Sequence, residues 1–104
     1  MPRRYDSKCP VARTLNVIGN RWTVLILRDL ILQGPRRFQD FENSLKGITP
    51  AVLTNRLQEL KARGVIESRL YSKHPPRRVY ELTAKGQELR PVLRAMKEWG
   101  QRYA

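Results

Sequence analysis

Apolar positions along the chain change their period, and each change marks a boundary. In "CPVARTLNVIG", Val11, Leu15 and Ile18 share one helical face, and Pro10 suits a first helical turn. Gly19 ends that helix and Asn20 is a suitable N-cap for the next. "RWTVLILRDLILQ" is apolar on most of its circumference, which places this helix in the middle of the fold with neighbours on several sides. Gly34 and Pro35 stop it. "RRF" then reads as a short strand, and "QDFENSLK" as a short helix with Phe41 and Leu45 inward. Gly47 permits a tight turn, and Thr49-Pro50 restart the chain as N-cap and first helical residue. In "KGITPAVLTNRLQELKARGVI", Leu53, Leu57 and Leu60 make a single apolar stripe. Two helices joined by a turn of about three residues with a glycine have the spacing of a helix-turn-helix.

After Gly64 the period shortens. "VIESRLY" and "RRVYELT" are rich in β-branched and aromatic residues and flank "SKHPP", which predicts a hairpin. Its tip carries Lys73, His74, Pro75, Pro76, Arg77 and Arg78. From Thr83 helical spacing returns through Leu89, Val92, Leu93, Met96, Trp99 and Tyr103. Pro91 lies inside that pattern, where it kinks a helix or marks the meeting of a short helix with a longer one. The expected fold is mainly α with a small β-hairpin, a winged helix-turn-helix in one domain of 104 residues. The helix-turn-helix spans about 38–63 and the wing about 65–83, with dimerisation helices over about 9–18 and 84–103. The last stripe is too long for a small domain to cover alone. The first helix of the same chain is expected to cover part of it, and a second subunit the rest.

Charge narrows the partner. Lys and Arg number 21 against nine Asp and Glu, a net charge of +12, which attracts a polyanion. The longest apolar run, "WTVLIL" and "RDLIL", is interrupted by Arg28 and Asp29 and is too short to span a membrane. "MPRRYDSK" has no apolar segment after its basic residues, so it does not read as a signal peptide. A single cysteine excludes an intramolecular disulfide framework and fits a reducing, cytoplasmic compartment. Enzyme chemistry lacks an inventory. The one His and one Cys are far apart, no Gly-rich phosphate loop follows a strand, and no metal or cofactor motif is present. Asp40, Glu42, Glu59, Glu67, Glu81 and Glu98 read as solvated or paired with Arg.

The chain resembles the HxlR family of bacterial winged helix-turn-helix transcriptional regulators. The resemblance runs from about Cys9 to Trp99, through "CPVARTLNVIGNRWTVLILRDL", "GPRRFQDFENSLKGITPAVLTNRLQELKARGVI", "YSKHPPRRVYELTAKG" and "LRPVLRAMKEWG". It implies a homodimer joined through the first and last helices and a roughly palindromic operator on double-stranded DNA. It also implies repression of a neighbouring gene and, in many members, a sensing cysteine near the N-terminus.

Each candidate residue has a functional and a structural reading. Thr49, Pro50, Ala51, Thr54, Asn55, Arg56 and Gln58 form the candidate recognition helix. Asn55 and Gln58 can pair with adenine, Thr49 and Thr54 can reach a base or phosphate, and Ala51 can touch a thymine methyl. The alternative is a solvated face on a core helix. Arg56 borders the apolar stripe, so it either meets a phosphate or pairs with a carboxylate of its own chain. Lys73, His74, Arg77 and Arg78 suit backbone or minor-groove contact from the wing, or a solvated turn. Arg36 and Arg37 either clamp a flanking phosphate or are plain exposed charges, and Arg3, Arg4 and Lys8 form a basic arm. Cys9 opens the first helix, where amides and macrodipole favour an anion, beside Lys8 and one turn from Arg13. It is either a sensor thiol for an oxidant or electrophile, or a packed interface residue. Val11, Leu15, Leu89, Val92, Leu93, Met96, Trp99 and Tyr103 are the candidate dimer interface. Two other functional classes fit parts of the same sequence: a non-specific architectural DNA-binding protein and a winged-helix protein-interaction module.

Overall fold

The computed structural model describes residues 8–104, and Arg3 and Arg4 of the basic arm lie outside them. Helix α1 spans Pro10–Ile18, with Cys9 in the N-cap position and extended (φ −94°, ψ 120°). The Gly19 N–H closes the helix by donating to the Leu15 carbonyl at 2.7 Å. Helix α2, Arg21–Gln33, begins where the Asn20 side chain accepts from the Trp22 amide at 2.9 Å. It ends at Gly34, whose φ of 77° suits a residue without a Cβ. Ile26, Leu27 and Leu30 are buried, and α2 meets α1 and elements from both ends of the chain, as its apolar circumference predicts. At its C-terminal end Leu32 is exposed. Asp29 is buried and is held by Arg28 at 3.1 Å.

Helix α3 spans Phe38–Ser44 and α4 spans Pro50–Ala62, with Phe41 and Leu45 buried between them. Five residues, Leu45–Thr49, join them instead of the expected three. The turn needs that length because Leu45 is itself buried and Gly47 reverses the chain at φ 91°. The predicted "RRF" strand shrinks to one antiparallel bridge, Arg36 with Tyr80, through bonds of 2.9 and 2.7 Å. Pro35 has no N–H to extend it. On the other side the Arg37 amide donates to the Asp40 carboxylate at 2.8 Å and so starts α3.

The wing consists of β1, Ile66–Lys73, paired antiparallel with β2, Pro76–Leu82. The register runs from Ile66 opposite Leu82 to Lys73 opposite Pro76, with an irregularity between Leu70 and Ser72. Ile66 and Val79 root the hairpin in the core, while Lys73 to Arg78 stand in solvent. The chain is a winged helix-turn-helix: mainly helical, with a two-stranded antiparallel sheet among the described residues.

The C-terminal helical stretch divides into α5, Ala84–Gln87, and α6, Arg90–Tyr103, with Pro91 in the first turn of α6. Of the two roles open to Pro91, it thus marks the meeting of two helices. Thr83 caps α5 by accepting from the Gly86 amide at 3.1 Å, and its hydroxyl lies 3.1 Å from the Val65 carbonyl. Gly86 itself abuts that carbonyl so closely that a Cβ would collide with it, so α5 lies tight against the segment joining α4 to β1. The sequence pattern predicts that α1 covers part of the last helix; α6 packs chiefly on α2 instead, because Val24 and Leu25 extend the apolar surface of α2 toward it. No helix among the described residues is long and apolar enough to cross a membrane.

Candidate nucleic-acid interface

Spacing alone decides what α4 presents. Leu53, Leu57 and Leu60 fall at i, i+4 and i+7, and all three are at most 2% exposed. Each contributes roughly 1.5–3 kcal/mol by leaving water. Ala51, Thr54, Asn55 and Gln58 fall at i, i+3, i+4 and i+7 on the opposite side, and all four are exposed. The helix starts where the Thr49 hydroxyl accepts from the Val52 amide at 3.2 Å, with Pro50 in its first turn. The result is a rigidly backed, uncharged, hydrogen-bonding surface on a strongly basic chain.

Arginines near that surface are not equivalent. Arg56 is half-buried and donates to Glu59 at 3.2 Å, while its buried Nε has no hydrogen-bond partner among the described residues. Of its two sequence readings, pairing within the chain is the one observed. Arg36 is also half-buried, with Nη2 donating to the Asp40 carbonyl at 3.2 Å. Arg37 is exposed and grips the Asp40 carboxylate through two bonds of 3.1 and 3.3 Å. The hydrogen bond to Asp40, and after it one to Tyr71, raises the Arg37 guanidinium above its ordinary value. Conversely, hydrogen bonds from the Arg37 side chain and backbone hold the Asp40 carboxyl below the usual carboxylate range.

The wing tip has the opposite character. Lys73, His74, Arg77 and Arg78 are exposed. Ser72 Oγ donates to the Pro75 carbonyl at 3.0 Å and closes the turn. Arg78 reaches Ser68 at 3.4 Å, and Lys61, at the end of α4, donates to the same hydroxyl at 3.1 Å. Lys61 therefore ties α4 to the wing, and Tyr71 ties the wing to the start of α3 through Arg37. Neither link is visible in the sequence, because both depend on where β1 crosses the two helices.

Lys8 and Cys9 are exposed at the start of α1, and the Cys9 side chain makes no capping bond. The candidate dimer residues separate into two groups. Leu89, Val92 and Leu93 are half-buried against the chain's own core. Val11, Leu15, Met96, Trp99 and Tyr103 are 70%, 39%, 48%, 63% and 67% exposed, and the Trp99 and Tyr103 rings pack 5.4 Å apart.

The sequence profile of the HxlR-like helix-turn-helix family matches residues 17–104. The chain belongs to this family. It is 42% identical over 95 residues to the HTH-type transcriptional regulator YdeP of Bacillus subtilis, covering 91% of this chain and 73% of that protein. Its fold is similar to that of the redox regulator HypR in its reduced form. The TM-score is 0.85 at 38% identity, covering 90% of this chain and 92% of HypR. The reduced form of the transcriptional regulator YodB from Bacillus subtilis is similar with a TM-score of 0.78 at 30% identity, covering 92% and 94% of the two chains. This HxlR-like protein is accordingly a transcriptional regulator of the helix-turn-helix type.

The Asp40 clasp carries a pH signature. Its folded value lies below the unfolded one, so its stabilising contribution is complete above about pH 4 and disappears as pH falls through the folded value. Asp40→Asn is expected to lower the melting temperature at pH 7 and to flatten its decline on acidification. Parallel wild-type and variant curves from thermal denaturation between neutral and acidic pH would remove the clasp from the account.

Proposed function

We propose that this HxlR-like protein is a cytoplasmic, sequence-specific repressor that binds a pseudo-palindromic DNA operator as a homodimer. The observation that carries the reading is the exposed neutral face Ala51, Thr54, Asn55 and Gln58 on a helix anchored by three buried leucines. Side chains of that size carry donors and acceptors to base edges in the major groove. Thr49 and Pro50 bring the positive end of the helix, with the Ala51 amide, toward a phosphate. Exposed Lys73, His74, Arg77 and Arg78 on the wing supply sequence-independent attraction to the backbone. Arg37 joins them by exchanging Asp40 for a phosphate, whereas Arg36 and Arg56 act mainly by holding α3 and α4 in place. A solvated core helix in so basic a protein would be expected to carry lysines on this face.

Dimerisation answers both the apolar surface and the groove spacing. Val11, Leu15, Met96, Trp99 and Tyr103 are covered by a second copy, with Leu89, Val92 and Leu93 supporting them from beneath. Two recognition helices about 34 Å apart then read successive major grooves. Cys9, exposed beside this surface, is the sensor thiol, and its oxidation or alkylation alters the dimer and releases DNA. The likeness to HypR, a redox regulator, and the solvent access of the thiol support that role.

The decisive experiment is a footprint on DNA upstream of the protein's own and neighbouring genes, with excess competitor DNA present. Two protected half-sites about one helical turn apart are expected. Uniform or absent protection would leave a basic protein that binds by charge alone. Asn55→Ala is expected to relax base preference at one position and cost about 1–3 kcal/mol there. A uniform loss on every sequence would count against readout by Asn55. Arg77→Ala should weaken binding to all DNA and lower the salt slope by about one unit, and an unchanged slope would take the wing off the contact surface. For the thiol, Cys9→Ser should keep operator affinity and lose release by diamide. Release that persists in the variant would end the sensor role.

A further inference from the structure

Lys61 continues the neutral face of α4. Thr54, Gln58 and Lys61 stand at i, i+4 and i+7, and all three are exposed. The face that offers hydroxyl and amide groups along its length therefore finishes on a cation, where α4 meets the wing. The helix does not need that lysine as a C-terminal cap, because Lys85 donates to the Arg63 carbonyl at 2.6 Å. Lys61 instead reaches across to β1, where its Nζ lies 3.1 Å from the Ser68 hydroxyl. Arg78 of β2 approaches the same oxygen at 3.4 Å.

Two cations thus converge on one neutral oxygen. Neither Lys61 nor Arg78 forms an ion pair among the described residues. The strand register gives the reason. Ser68 shares its side of the sheet with Ile66, Leu70, Arg78 and Tyr80, whereas Glu67 and Glu81 alternate onto the other side. There Glu81 meets Arg69 at 3.0 Å. Like charges drawn together without a carboxylate are unfavourable until an anion joins them. The other link between the wing and the helices is built differently, since Arg37 at the start of α3 has Asp40 as its counter-ion. Lys61 and Arg78 are exposed, Ser68 is half-buried, and each cation keeps further N–H groups for an incoming oxygen.

We propose that Lys61, Ser68 and Arg78 form a clamp for one phosphate of the DNA backbone, in the corner between α4 and β1. The clamp rests on the DNA-reading role given to α4. A single sugar-phosphate backbone separates a major groove from the minor groove beside it. With α4 in the major groove and the wing tip on the far side of that backbone, the strand crosses this corner. A phosphate there accepts from the Lys61 ammonium and the Arg78 guanidinium, and the Ser68 hydroxyl turns from their acceptor into a third donor. Leu70, 46% exposed and opposite Arg78 in the sheet, lies against the adjoining sugar. The clamp carries no base preference of its own. It fixes the register of α4 along the groove, so that Asn55 and Gln58 meet the same step of the duplex each time.

The test fills the clamp from within. Ser68→Asp places a carboxylate between Lys61 and Arg78, and binding of the full chain to DNA is followed by fluorescence anisotropy across a salt series. The probes are a duplex from upstream of the protein's own gene and a scrambled duplex of the same length. Ser68→Asp is expected to weaken binding to both by a similar factor of about ten or more, and to lower the salt slope by about one unit. Lys61→Gln should act in the same direction. The two together should weaken binding little beyond Ser68→Asp alone, since both remove one site. Thermal denaturation verifies the fold of each variant, and Lys61→Gln, at an exposed position, decides the matter if Ser68→Asp does not fold. Unchanged or tighter binding by folded Ser68→Asp overturns the proposal, because Lys61 and Arg78 then only brace the wing. Fully additive losses overturn it too, because the added charge then repels DNA without occupying a site. Wild-type protein that binds neither probe removes the DNA reading itself, whereas wild-type affinity in both folded single variants removes the clamp alone.

Discussion

Burial of Leu53, Leu57 and Leu60 beneath α4, in one core with Ile26, Leu27 and Leu30 of α2, is the contact on which the rest of the structure depends. A helix with three fixed inward positions has no rotational freedom left, so its outward positions are fixed as well. Ala51, Thr54, Asn55 and Gln58 are presented at a constant angle because those leucines cannot turn out without losing several kcal/mol of burial. Phe41 and Leu45 extend the same core beneath α3, and Val65, Ile66 and Val79 root the wing in it. The elements flanking the candidate DNA surface thus share one hydrophobic anchor, and their relative positions follow from it.

Electrostatics divides the basic residues by the company they keep. Arg28, Arg37, Arg56 and Arg69 each meet a carboxylate between 3.0 and 3.2 Å. Most of these pairs are solvent-exposed and add little stability individually. Their structural effect is to hold arginine side chains in place at helix starts and along the wing. The tip residues Lys73, Arg77 and Arg78 form no such pair among the described residues, and Arg94 and Lys97 are in the same condition on the other side of α2. Among the described residues, one basic region without carboxylate partners thus stands on the projecting hairpin and another beside the apolar groove between α2 and α6. The first suits an extended polyanion.

The two ends of the chain share a different property. No residue of α6 is fully buried, and α1 buries only Ile18. Trp99 and Tyr103 pack on each other in solvent rather than on the core. An aromatic pair so exposed is costly for an isolated chain, which is the physical case for a second subunit. Membership of the HxlR-like family and the likeness to HypR agree with the architecture that presents these surfaces.

Much of this fold is legible in the sequence because local rules decide it. Gly19, Gly34, Gly47 and the Thr49-Pro50 pair place helix ends through backbone geometry and capping, and the leucine spacing of α4 selects its inner face. The family resemblance is local too, since its motifs are these same caps, turns and stripes. What the sequence alone left open depends on the approach of distant segments. Arg56 and Arg36 are basic residues like any other until packing turns them inward, where Glu59 and the Asp40 carbonyl receive them. The "RRF" strand is limited to one bridge because Asp40 competes for the next amide, and α6 rests on α2 because that surface lies within reach. The groove between α2 and α6 belongs to neither helix separately. Helical period and capping determine each element and the face it offers, whereas the cavity and the commitment of each charge follow from how those faces meet.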